Sequence, residues 1–133
     1  MAGPELTVRY SVASNEVDVK ATRQAFVEVA NLLEAGGGQV LADGLADPLP
    51  YEVCLPLLVV RRLSGGGVVI RVSEGMGELI IEGGEDGLRV LAGNLRGLET
   101  EGADDEHLHT EYFPGHFYLA ESSTPAVVAL REK

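Results

Sequence analysis

Three histidines and a glutamate lie close together near the C-terminus, with a spacing that could hold a metal ion. His107, His109 and His116 are the chain's three histidines, and Glu111 lies among them. If residues 107–112 form a strand, His107, His109 and Glu111 share one face because side chains alternate. Two imidazoles and a carboxylate could bind zinc there, with His116 folding back beside them. The same pattern is typical of a polar contact surface, and it favours that second use.

An acidic segment comes directly before these histidines. We expect Glu99 to Glu106 to form a loop beside the predicted strand. The candidate partner-binding residues are Asp104, Asp105, Glu106, His107, His109, Glu111 and His116. The only cysteine, Cys54, lies in an apolar run and is predicted to pack in the core. The sequence offers no recognisable nucleophile, phosphate loop or carboxylate pair, so we expect a protein that is not an enzyme and uses no cofactor.

Negative charge is concentrated in the second half of the chain. The formal net charge is −11, yet residues 1–73 carry eight acids and six bases. Residues 74–121 carry twelve acids against two bases, Arg89 and Arg96. This excess argues against binding nucleic acid, which requires clustered Lys and Arg. A negative field can speed encounter with a basic protein, so the predicted partner is basic; acidity that only maintains solubility is the alternative.

Hydrophobic periodicity predicts four elements in the first half. Residues 6–12 alternate as a strand, and residues 23–34 have the spacing of an amphipathic helix that ends at Gly36. Residues 51–63 read as a strand with Pro56 at an edge or bulge. Residues 68–73 follow a glycine turn and are predicted to form a hairpin with them.

The second half shows a similar order. It contains a short strand at residues 78–82, a leucine-rich helix, and strands at 107–113, 117–119 and 126–130. Strand–helix–strand–strand therefore occurs twice, in residues 5–73 and 78–130, which is compatible with an internal repeat. The predicted fold is an α+β two-layer sandwich, with a mostly antiparallel sheet of six to eight strands and two helices on one face.

Length and composition predict a single α+β domain over residues 1–133. A hydrophobic fraction of 45% is enough for a core without disulfides or metals. We find neither a secretory signal nor a segment as apolar as a membrane helix, so we expect a cytoplasmic protein without a membrane partner. The uncovered face of the predicted sheet is compatible with a homodimer.

The run from Glu106 to Val128, which includes His-Leu-His-Thr-Glu-Tyr-Phe-Pro-Gly-His, resembles the C-terminal segment of the immunity protein 32 family. The likeness extends back through the leucine-rich helix to Leu79-Ile80-Ile81-Glu82-Gly83. Members of this family are small bacterial proteins predicted to neutralise polymorphic toxins. The resemblance implies an inhibitor that binds a cognate toxin stoichiometrically, without catalysis.

Two other functions are compatible with the residues. A metal-binding protein or small metal-dependent enzyme would use His107, His109 and Glu111, with His116 as a further ligand. A structural domain would instead use its open sheet face to pair with another copy.

Overall fold

A computed structural model describes residues 5–44, 51–75, 77–101, 107–111, 114, 116 and 118–130. These residues form two helices and nine strands in an α+β sandwich, the fold class that the sequence predicts. The helices are α1 (Arg23–Ala35) and α2 (Glu85–Glu101). The strands are β1 (Leu6–Ser11), β2 (Glu16–Ala21), β3 (Gly37–Leu41), β4 (Val53–Leu55), β5 (Leu57–Arg62), β6 (Val69–Val72), β7 (Leu79–Gly83), β8 (His107–Thr110) and β9 (Ala126–Leu130).

The strands are divided between two mixed sheets, where the sequence predicted one sheet of six to eight strands. The large sheet has the order β4-β1-β2-β9-β8 and the small sheet has the order β3-β5-β7-β6. Each sheet contains one parallel pair, β2 with β9 and β5 with β7, and its other pairs are antiparallel. The predicted hairpin between residues 51–63 and 68–73 is wrong, because β6 pairs with β7 and β5 lies on the far side of β7.

The same pairing scheme occurs in both sheets. The series β1-β2-α1-β3-β5 corresponds to β6-β7-α2-β8-β9, and β4 is an additional strand at one edge of the large sheet. In each series the first two strands form a hairpin in one sheet, and the last two form an antiparallel pair in the other sheet. Positions in the two sheets can therefore be compared one to one: Val127 of β9 pairs with Asp18 of β2, and Val59 of β5 pairs with Ile80 of β7.

Local sequence sets both ends of α1. The backbone N–H of Ala25 donates to the Thr22 hydroxyl (3.3 Å), which caps the first turn. At the other end, Gly36 adopts a left-handed conformation with φ 86°, and its N–H donates to the carbonyl of Leu32 (2.9 Å). Glycine adopts this conformation without strain, so the helix ends where the sequence predicts.

The hydrophobic core lies between the helices and the inner faces of both sheets. α1 contributes Phe26, the largest fully buried side chain, and α2 contributes buried leucines such as Leu91. The strands contribute alternate residues, as their period of two requires. A cavity of about 30 Å³ remains among these side chains, room for about one water molecule, so the core is closely packed.

The two helices pack side by side and are joined at the surface by Arg96. Its guanidinium donates to both carboxylate oxygens of Glu34 (2.9 and 2.7 Å) and to the amide oxygen of Asn31 (2.7 Å). The hydrogen bond from Arg96 lowers the pKa of Glu34. Neither described helix is both long enough and apolar enough to cross a membrane.

The start of α2 lies unusually close to the turn before β6. The N–H of Gly84 donates to the carbonyl of Gly66 (3.1 Å), and the N–H of Leu88 donates to the carbonyl of Gly84 (3.1 Å). A Cβ atom on Gly84 would lie 3.0 Å from the Gly66 carbonyl oxygen, closer than a backbone atom normally tolerates. The glycine at this position therefore permits a close backbone approach.

Several elements differ from those predicted. The strands β2 and β3 were not predicted, and Pro56 separates residues 51–63 into two strands that belong to different sheets. The acidic loop predicted from Glu99 begins later, because α2 continues to Glu101. Cys54 lies half-buried on β4, pointing away from the core, because its neighbour Leu55 occupies the inward position.

Candidate functional site

The predicted histidine strand is β8, which forms one edge of the large sheet. Thr110 is buried, whereas His109 and Glu111 on either side of it are exposed. This alternation places His109 and Glu111 on the outer face of the sheet, the face that points away from the helices. The backbone of His107 is described as part of β8, and its side chain lies outside the described residues.

Strand register extends the outer face from His109 across the whole large sheet. His109 pairs with Val127, Val127 with Asp18, and Asp18 with Arg9. Cys54 of β4 completes the row beside Arg9. These side chains are half-buried or exposed, while their inward neighbours Val8, Val17 and Val128 belong to the core. The row therefore joins residues from both halves of the chain on one open surface.

An ion pair lies at the centre of this row. Arg9 Nη1 and Asp18 Oδ2 are 3.4 Å apart, and both side chains are largely shielded, at 21% and 16% exposure. Such a pair fixes the orientation of two long side chains on an otherwise flat surface. Its contribution to stability is modest, about 1 kcal/mol for a partly exposed pair.

Three glutamates lie at one end of the outer face. Glu52 precedes β4 and its carboxylate accepts a hydrogen bond from the Ser11 hydroxyl (3.3 Å). Glu16 begins β2 and pairs with Ser11, and Glu111 follows β8. Successive glutamates are separated by two strand spacings, or about 10 Å. That distance is close to the screening length in physiological salt, so their potentials overlap.

The phenol of Tyr51 lies close to the charged side chains at this end. Burial raises the pKa of Tyr51, and the charges of Asp18 and Glu16 raise it further. Arg9 acts in the opposite direction but has the smallest effect of the four. Burial and the two nearby carboxylates therefore both favour the neutral phenol.

His116 makes its contacts with residues that follow it directly in the chain. Its Nδ1 atom accepts hydrogen bonds from the backbone N–H groups of Tyr118 (3.3 Å) and Leu119 (3.1 Å). The rings of His116 and Tyr118 also meet edge to face, with centroids 4.7 Å apart. Burial raises the pKa of the Tyr118 hydroxyl, which accepts from Asn94 (3.2 Å). His116 thus stabilises residues 118–120, whose backbone hydrogen-bonds to Val68, directly before β6.

The remaining predicted site residues, Asp104, Asp105 and Glu106, lie outside the described residues. Among the residues that are described, no three His, Cys, Asp or Glu side chains come together as a metal-ligand group.

Two acids of the second half, Glu82 and Glu85, are paired with arginines of the first half. Glu82 lies 3.0 Å from Arg71 and 3.9 Å from Arg61. Glu85 lies 3.8 Å from Arg62 and 2.8 Å from Arg89 of its own helix. The asymmetry of charge along the sequence is therefore reduced in the folded molecule, because the two halves interleave.

Comparison with known protein families gives one match, which lies in the second half of the chain. Residues 78–131 match the family model of immunity protein 32. This confirms the resemblance predicted from the histidine run and the leucine-rich helix. No curated protein and no solved structure matches the chain.

The segment that matches immunity protein 32 contains β7, α2, β8 and β9. Its strands do not form one sheet: β8 and β9 pair with each other in the large sheet, and β7 lies between β5 and β6 in the small sheet. The matched segment thus supplies the inner strand β9 and the edge strand β8 of the large sheet. Sequence reasoning found the β8 part of the outer face and missed Arg9 and Asp18, whose alternation with Val8, Val17 and Val19 was the available signal.

Proposed function

We propose that this protein is an immunity protein that binds a cognate toxin domain and neutralises it by stoichiometric, non-catalytic inhibition. The observation that carries the proposal is the match of residues 78–131 to immunity protein 32, which supports a toxin-neutralising role. The inhibitor acts in the bacterial cytoplasm, where it protects the cell that makes the toxin.

In this proposal the toxin contacts the β8 region. The contact residues are Asp104, Asp105, Glu106, His107, His109, Glu111 and His116. Two features of the structure support this choice: His109 and Glu111 are exposed on an edge strand, and β8 lies within the segment that matches the family.

The proposed partner is a basic toxin domain. The excess of acids in the chain supports this, since an acidic inhibitor attracts a basic domain and accelerates the encounter. The charge at the outer face is more relevant than the count along the sequence, because Glu82 and Glu85 are already paired with arginines.

A titration of toxin activity tests the proposal. The purified protein is added in steps to a fixed amount of the toxin domain encoded beside it, and residual toxin activity is measured. Stoichiometric inhibition predicts a linear fall that ends at one protein per toxin, with a 1:1 complex in size-exclusion chromatography. Complete loss of activity at a small fraction of equivalence would indicate catalysis instead, and an absence of any complex would refute the proposal.

A further inference from the structure

We propose that the toxin docks on the outer face of the large sheet, with a basic segment lying across Asp18, Val127 and His109, so that both halves of the chain contribute to the interface. This inference rests on the proposed function and specifies the binding surface. It adds β1 and β2, which lie outside the segment that matches the family.

The geometry of the sheet supports a continuous surface. The row from Arg9 through Asp18 and Val127 to His109 follows from the register of four adjacent strands. Its side chains are half-buried or exposed, and among the described elements the helices pack on the opposite face. The row is also continuous with β8, which the proposed function already assigns to the toxin.

Burial indicates which end of the face is open. At one end, Thr7 and Ala129 are outward in register but only 2% and 1% exposed. At the other end, Glu16, Glu52 and Glu111 are exposed. A partner therefore has access to the end where the glutamates lie.

The charges of the open end select a basic partner. Glu16, Glu52 and Glu111 lie at this end of the face, and Arg9 is paired with Asp18; Lys20, on the same face of β2, lies toward the closed end, in register with Thr7 and Ala129. Burial raises the pKa of Tyr51 most, and the nearby carboxylates of Asp18 and Glu16 raise it further. A lysine or arginine side chain of a partner gains attraction here and approaches faster at low ionic strength.

The composition of the face suits a protein interface better than it suits a small ligand. It combines a tyrosine, an arginine and an apolar side chain, Val127, with a polar rim. Tyrosine and arginine are enriched among interface residues that carry binding energy, and they are most effective beside apolar contacts.

The equivalent face of the small sheet provides a matched control. The row Arg9, Asp18, Val127, His109 corresponds by register to the row Arg71, Ile80, Val59, Gln39. Val127 and Val59 are both half-buried and both lie on the outer face. Only Val127 is in the proposed interface, and because Val59 pairs with the buried Ile80, circular dichroism first checks that each valine variant is folded.

Calorimetry measures how tightly the toxin domain encoded by the neighbouring gene binds wild-type protein and three variants, Val127→Lys, Val127→Glu and Val59→Lys. We expect Val127→Lys to weaken binding about tenfold or more, Val127→Glu to weaken it less, and Val59→Lys to leave it unchanged. Equal losses for Val127→Lys and Val127→Glu would overturn the basic character of the segment. A larger loss for Val59→Lys than for Val127→Lys, or no loss at Val127, would overturn the surface.

A second pair of variants covers the case in which Val127→Lys does not fold. Glu16→Lys changes an exposed residue at the start of β2, and Glu78→Lys makes the same change at the equivalent position before β7. Circular dichroism is measured first, to check that each variant is folded. Only Glu16→Lys is expected to weaken binding, and equal affinities would overturn the inference. If wild-type protein itself fails to bind, the proposed function fails, and the surface is rejected with it.

Discussion

The outer faces of the two sheets share one backbone scheme but have opposite characters. At the centre of the large sheet, Asp18 is half-buried and paired with Arg9. At the equivalent position of the small sheet, Ile80 is apolar and only 3% exposed, although it also points away from the main core. The pairing scheme thus fixes where side chains point, and the residue types decide whether a face is closed or available for contact.

The edge strands of the two sheets also differ in the charge and polarity of their outer side chains. The large sheet ends in β8 with exposed His109 and Glu111, and the small sheet ends in β3 with Gln39 and Leu41 at the equivalent positions. Leu41 is 67% exposed, the most exposed of the large hydrophobic side chains described. Negative charge is therefore concentrated on the outer face of the large sheet, whereas Glu82, two residues after Ile80 on the small sheet, is paired with Arg71 and Arg61.

Exchanging the central residues of the two faces should give the largest effect. Ile80→Asp is expected to lower the free energy of unfolding by about 3–5 kcal/mol, because it removes a buried side chain and places a charge in its position. Asp18→Ile should cost only about 1 kcal/mol, since its side chain is part-exposed and its ion pair is weak. Urea denaturation of both variants measures the difference, and equal costs would show that the two faces are not differently closed.

The two helix starts offer a second comparison. Thr22→Ala should destabilise the protein by about 1 kcal/mol, because it removes the cap of α1. Adding a capping hydroxyl to α2 by Gly84→Ser should also destabilise it, by about 1–3 kcal/mol, because the new Cβ lies 3.0 Å from the Gly66 carbonyl oxygen. Thermal unfolding of both variants tests this, and stabilisation by Gly84→Ser would contradict the close approach.

The smallest expected effect concerns the surface link between the halves. Arg96 lowers the pKa of Glu34 below its usual value of 4.5, so the stabilisation from this pair is present above that pH and is lost as the pH falls through the folded-state pKa. Arg96→Ala should therefore lower the melting temperature slightly at pH 7 and by less near pH 2, where only the hydrogen bond to Asn31 is left to lose. A difference that persists undiminished at low pH would assign the effect to packing instead of charge.

Elements with a strong local signal were predictable from the sequence. The spacing of Phe26, Val29 and Leu33 and the glycine at position 36 define α1 without reference to the rest of the chain. The strand β3 was not predictable in this way, because it begins with Gly37 and Gly38, residues that weaken strands. The strand β2, in contrast, does have a sequence signal, the alternation of Val17, Val19 and Ala21 with polar residues.

Pairing between distant strands was beyond the reach of periodicity. His109 and Glu111 were predicted to share a face because they are neighbours in sequence, and the structure places both on the outer face. Their proximity to Asp18 depends on the parallel pairing of β2 with β9, which joins residues far apart in the chain. Tertiary packing of the core sets that register, so a single sequence could not specify it.

The position of β9 also has a consequence during synthesis on the ribosome. Of the described strands, the one that fills the gap between β2 and β8 is the last in sequence, so the large sheet stays incomplete until residues 126–130 have been synthesised. Contacts of such long sequence separation form slowly, because the intervening chain must lose entropy first. A partner that needs the intact outer face of this sheet would therefore bind only after β9 has inserted between β2 and β8.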